Sequence, residues 1–128
     1  MTRFYMLLTA LAVGVSAAAA VAAPNDYVFE PVAADVRHGK DIAFAVRIRN
    51  KVTGKPVEGA VLFRTRLDMS PDSMAEMTTK HSAVPSSEPG VYTFKADFTM
   101  AGGWAFKVMA KVPGESETVQ ATVVFNAK

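Results

Sequence analysis

An alternation of period two recurs between residues 27 and 125, and it is the feature that most constrains the fold. Ile42, Phe44, Val46 and Ile48 alternate with Ala43, Ala45, Arg47 and Arg49. Successive side chains of an extended strand point to opposite faces, so this pattern describes a strand with one dry and one wet face. Val61, Phe63, Thr65 and Leu67 stand in the same way against Arg64 and Arg66. Tyr92, Phe94, Ala96 and Phe98 alternate with Thr93, Lys95 and Asp97, and Trp104, Phe106, Val108 and Ala110 alternate with Lys107, Met109 and Lys111. Tyr27, Phe29 and Pro31 open the series, a short irregular strand is expected between Met77 and Val84, and Val119, Ala121, Val123 and Phe125 close it. Turn residues separate the runs: Thr53-Gly54-Lys55-Pro56, Pro85 to Gly90, Met100 to Gly103, and Pro113 to Ser116. About seven short strands at regular spacing predict an all-β fold, an antiparallel immunoglobulin-like β-sandwich without helices.

The chain begins differently. Arg3, an apolar run from Met6 to Val15 and the small-residue tail Ser16 to Ala23 describe a secretory signal peptide over residues 1–23. A retained membrane anchor is the rival reading, and the alanine-rich second half of the run favours cleavage. Residues 24–128 are then one small domain, too short for two independent cores. Export to a bacterial periplasm is the expected address, with no stable membrane insertion once the signal is cut.

Without Arg3, 13 basic residues face 12 acidic ones, and the two signs are interspersed. No basic stripe points to nucleic acid and no acidic tail to a charged partner. Cysteine is absent, so an exported domain of this kind must hold together by its apolar core. Any sulfur site must be built from methionine.

Methionine is concentrated where core packing does not call for it. The segment from Leu67 to His81 places Met69, Met74 and Met77 in a polar, proline-containing stretch read as a loop. Thioether sulfur suits Cu(I), and His81 offers an imidazole nearby. Strand direction adds Met100. If each connection reverses the chain, the strands ending at Leu67 and Phe98 run the same way, so Met69, Met74, Met77, Met100 and the His38 loop share one end. The turns at Gly54, Pro89 and Pro113 take the other end, and clustered loops on a rigid sandwich are a usual place for binding.

With these residues placed, the sequence resembles the FixH/YtkA-like family of exported, copper-associated β-sandwich domains. The resemblance rests on Gly-Lys-Pro-Val-Glu-Gly-Ala at 54–60, Asp-Met at 68–69, Met-Ala-Glu-Met at 74–77, Pro-Gly-Val-Tyr at 89–92 and Met-Ala-Gly-Gly-Trp at 100–104. It implies an immunoglobulin-like fold, a copper-related periplasmic role, and a protein partner in heavy-metal efflux or copper-enzyme assembly. Relatives of the FixH type keep a membrane helix, which the cleaved signal predicted here would remove.

The expected metal ligands are therefore Met69, Met74, Met77, Met100 and His81, holding Cu(I) or its mimic Ag(I). Competing readings stand beside them. The methionines can serve as flexible gap-fillers, or as a pliable surface by which a non-metal adaptor docks on a transporter or envelope protein. Trp104 fills the core or lays its ring over a bound cation. His38 is a weaker candidate and Met109 faces solvent. Asp68, Asp72 and Glu76 read as solvating residues, because they lack the oxygen-ligand spacing of a calcium loop. No nucleophile elbow, phosphate loop or zinc spacing is present, so no enzyme is expected.

Overall fold

The computed structural model describes residues 26–128; the signal peptide read from residues 1–23 lies outside the described residues. Nine strands follow in order: β1 (Tyr27–Pro31), β2 (Asp35–Val36), β3 (Gly39–Asn50), β4 (Val61–Met69), β5 (Met74–Thr78), β6 (His81–Val84), β7 (Val91–Phe98), β8 (Gly102–Lys111) and β9 (Val119–Ala127). They form a four-stranded sheet in the order β1-β3-β7-β6 and a five-stranded sheet in the order β2-β9-β8-β4-β5. All pairings are antiparallel except the two-residue β2, which runs parallel to β9. This is the immunoglobulin distribution of strands over two facing sheets, with the first strand divided between them.

The alternation read from the sequence sets the dry faces. Phe44, Val46 and Ile48 of β3 and Phe94, Ala96 and Phe98 of β7 meet Leu67 of β4, Trp104, Phe106 and Val108 of β8, and Val123 and Phe125 of β9. Phe44 sits among Phe94, Phe98, Phe106 and Phe125 at centroid separations of 5.0–5.6 Å, mostly edge to face. Such aromatic pairs add roughly 0.5–1.5 kcal/mol each beyond the area they bury.

Two expectations are corrected. The irregular strand expected from Met77 to Val84 is two strands in different sheets, with Thr79 and Lys80 crossing between β5 and β6. In β4 the alternation breaks at a bulge: Phe63 pairs with Met109 but Arg66 with Lys107, so β4 carries one extra residue there. Arg64 takes up the misfit in a left-handed conformation, φ 48°. A bulge of this kind re-aims side chains. Val61 is consequently exposed rather than buried with Leu67, and Thr65, Leu67 and Met69 turn inward beyond the bulge.

The parity of the strands is as expected. Gly39 lies opposite Phe98, Gly102 opposite Ala127 and Asp68 opposite Ala105, which gathers the end of β4, the β7–β8 turn and the start of β3 at one pole. At the far pole Tyr27 lies opposite Asn50, Val61 opposite Lys111 and Ala110 opposite Val119.

Candidate functional site

The stretch read as a loop is a hairpin. After Met69 the chain makes one turn of 3₁₀ helix, Ser70–Asp72, with Pro71 inside it and Ser73 closing it in a left-handed conformation, and then returns as β5. Proline presets the backbone for such a first turn and offers no N–H to leave unpaired. Met69 and Met74 are cross-strand partners at the base of this hairpin.

Two carboxylates fix it. Asp68 is fully buried and is the one buried charged side chain among the described residues. Its Oδ2 accepts from Arg66 Nε at 2.8 Å and Lys107 Nζ at 3.1 Å, and its Oδ1 accepts from the Ser70 backbone N–H at 2.9 Å. Burial alone would push this carboxyl up; the hydrogen bonds from Ser70, Arg66 and Lys107 outweigh it and hold the group well below the usual carboxylate range. Asp72 accepts from the Gly103 N–H at 3.0 Å, which clamps the 3₁₀ turn onto β8. The solvating role expected for Asp68 and Asp72 is thus replaced by a structural one. Their polar character hid this in the sequence, since aspartate is seldom buried unless it is paired.

The glycines of Met-Ala-Gly-Gly-Trp make the close approach possible. A Cβ at Gly103 would stand 2.8 Å from Pro71 Cβ, and one at Gly102 would collide with Asp72 Oδ2 and come within 2.9 Å of the Met69 methyl carbon. Trp104 is fully buried, and its Nε1–H donates to the Met100 carbonyl at 3.0 Å. Its role is therefore core packing together with holding the turn that carries Met100.

The 67–78 hairpin and the turn at residue 100 lie at the same pole, joined through Gly102 and Gly103. Met69 is fully buried with its methyl end against Gly102, and Met74 is half-buried against the same core. Met77 and Met100 are 38% and 42% exposed, so both are accessible from solvent. Met74 and Met77 border one shallow concavity of about 390 Å³ on the outside of the hairpin.

His81 is not drawn into this group. Its Nε2 and the Thr65 hydroxyl are 2.6 Å apart, its Nδ1 lies 3.5 Å from the Thr79 carbonyl, and its ring packs edge-on to Phe106. Thr65 precedes Met69 by four residues, about 13 Å along a strand. Proximity in sequence pointed to His81, but the crossing at Thr79–Lys80 carries it into the other sheet. His38 is at the methionine pole, yet its ring bonds the Lys128 carbonyl at 3.1 Å, on the far side of β8 from β4. Met109 is half-buried beside Gln120 on β9. Among the described residues no group of three or more His, Cys, Asp or Glu side chains is placed to hold a metal ion, and no helix is long and apolar enough to cross a membrane.

Fold and site together define an immunoglobulin-like sandwich with a thioether-bearing pole, closed by a paired buried carboxylate and a glycine pair. The chain belongs to the YtkA-like family, whose model matches residues 21–109 and so takes in Asp68-Met69, Met74 to Met77 and Met100 to Trp104. No curated protein matches it. Among solved structures it is similar to the Yersinia pseudotuberculosis adhesin InvE, at 13% identity and a TM-score of 0.42 over 82% of this chain and 27% of that one. It is also similar to the ZirS C-terminal domain, at 12% identity and a TM-score of 0.43 over 100% of this chain and 79% of that one. The chain spans about a quarter of the adhesin's length.

Proposed function

We propose that this protein is an exported copper carrier, resident in the periplasm, that holds Cu(I) through methionine thioethers at the hairpin pole and passes it to an efflux or copper-enzyme assembly partner. The observation that carries the reading is the shared tip. Met69 touches Gly102, Met74 faces Met69 across the hairpin, and Met100 sits in the turn leading into Gly102. Met77 and Met100 are the exposed donors and Met74 the half-buried one, while Met69 forms the floor. Soft sulfur selects Cu(I) over the harder cations. Thioethers have no proton to lose, so affinity should change little with pH, unlike sites whose ligands must first deprotonate. His81 has no part in this set.

Replacing Met69, Met74 and Met77 together by leucine nearly conserves volume and should cost under about 1.5 kcal/mol per site. It should abolish retention of Ag(I) in the mass spectrum of the intact protein, and His81→Gln should leave retention intact. The adaptor reading has one observation in its favour, the exposure of Met77 and Met100 at the surface, which would make the pole a pliable apolar contact. It predicts no retained metal in the parent protein.

A further inference from the structure

The outer face of the five-stranded sheet has an unbalanced charge. β4, β8 and β9 carry four basic side chains, Arg64, Arg66, Lys107 and Lys111, and a single acidic one, Asp68. Asp68 is buried and already engages Arg66 and Lys107, so these three strands present three net positive charges and no exposed carboxylate, the exposed Glu76 lying on the edge strand β5. Between the cations lies a trough of about 480 Å³ bordered by Arg64, Arg66, Lys107, Met109, Gln120 and Thr122.

The backbone is strained to build this face. The bulge in β4 turns both Phe63 and Arg64 outward, and Arg64 is held at φ 48°. A residue with a Cβ pays roughly 1–2 kcal/mol in that region. Phe63 lies beneath the Lys111 ammonium, 5.5 Å from ring centroid to nitrogen, and Val124 on β9 is 44% exposed.

We propose that this face docks an acidic, extended segment of a partner protein. The cations are spread rather than convergent: Lys107 and Lys111 are four residues apart on β8, about 13 Å. That spacing suits several carboxylates along a strand-like peptide better than one small anion. Met109 lines the trough, and Phe63 beneath Lys111 and the exposed Val124 lie on the same three strands, so apolar surface is available to the intervening side chains. Apolar groups set between the cations match the alternating side chains of an extended peptide, whereas a phosphate backbone has none to offer them. Complementary charge of this sort sets association rate and partner choice more than raw affinity.

The test uses the full chain and a short fluorescent peptide alternating glutamate and valine, followed by anisotropy at low ionic strength. Binding is expected, weakening as salt is added. Arg64→Asp with Lys111→Glu should weaken it about tenfold, since Asp tolerates the left-handed conformation and Arg66 and Lys107 are left to hold Asp68. Lys51→Glu with Lys55→Glu changes net charge equally at the far pole and should leave binding within about twofold. Absence of binding, equal loss in both double variants, or tighter binding to phosphatidylglycerol vesicles or duplex DNA would each overturn the proposal. Should the first double variant fail to fold, amide shifts in the parent protein decide the matter. Shifts confined to β4, β8 and β9 support it, and shifts elsewhere overturn it.

Discussion

At the methionine pole the chain is held by residues far apart in sequence: Asp68 with Lys107, Asp72 with Gly103, and Met69 against Gly102. At the far pole much of the work is local. Asn50 Oδ1 accepts from the N–H groups of Val52 and Thr53, and the Gly54 N–H bonds back to the Asn50 carbonyl. The longer ties there include Gly90 seated under Pro56, the Tyr92 hydroxyl donating to the Val57 carbonyl at 2.7 Å, and the Tyr27 hydroxyl donating to Glu115 at 2.6 Å. A turn that closes on itself needs only its own residues to be right. A pole in which β4 and the 3₁₀ turn are both clamped to β8 holds side chains in fixed relation, and that is what a multidentate site requires.

The sharpest way to break the contrast is Asp68→Ala. It strands the Ser70 N–H and two half-exposed cations, and should cost about 2–3 kcal/mol in urea unfolding, below the range for fully buried pairs because Arg66 and Lys107 can regain water. The pH dependence follows from the direction of the shift. The folded carboxyl lies below its unfolded value, so the unfolded chain takes up the proton first. The stabilisation from Asp68 is complete above the ordinary carboxylate range and is lost as pH falls through and below it. Stability of the Ala variant should therefore fall less steeply with acid than that of the parent.

A smaller difference should separate two glycines. Gly103→Ala drives a methyl into Pro71 and should cost about 2 kcal/mol. Gly54→Ala, in open space at φ 71°, should cost about 1 kcal/mol, from backbone conformation alone. Equal losses would mean that the two poles are equally tolerant and the clamp is of no consequence.

The smallest effect belongs to the far pole. Burial, together with the Glu115 hydrogen bond and charge, pushes the Tyr27 hydroxyl up to about 12. Its contribution is fully present below the unfolded tyrosine value near 10 and is lost as pH rises through about 12. Tyr27→Phe should cost about 1 kcal/mol at neutral pH and flatten the alkaline limb of stability, leaving the acid limb unchanged.

Much of the fold is legible in the alternation of β3, β7, β8 and β9, because each buries one face and a period of two then follows. The breaks are legible only in three dimensions. No glycine or proline marks the bulge at Arg64, so Val61 and Phe63 read as core when they face outward. The two residues of β2 are too few to show any period. The Thr79–Lys80 crossing resembles the polar stretches around it, so β5 and β6 merge into one irregular strand in the sequence. At the site, strand parity was enough to bring Met69, Met74 and Met100 to one end. The division of labour among them was not readable, nor was the clamp, because a buried aspartate and a solvating one look alike until their partners are known.

The most direct test follows the methionine methyl resonances of the protein during titration with Ag(I). If one thiophilic ion sits at the pole, the signals of Met74, Met77 and Met100 shift together and stop moving at one equivalent, with Met109 unmoved. If no resonance shifts, or if Met109 responds in step with the others and the changes continue beyond one equivalent, the pole is not a metal site.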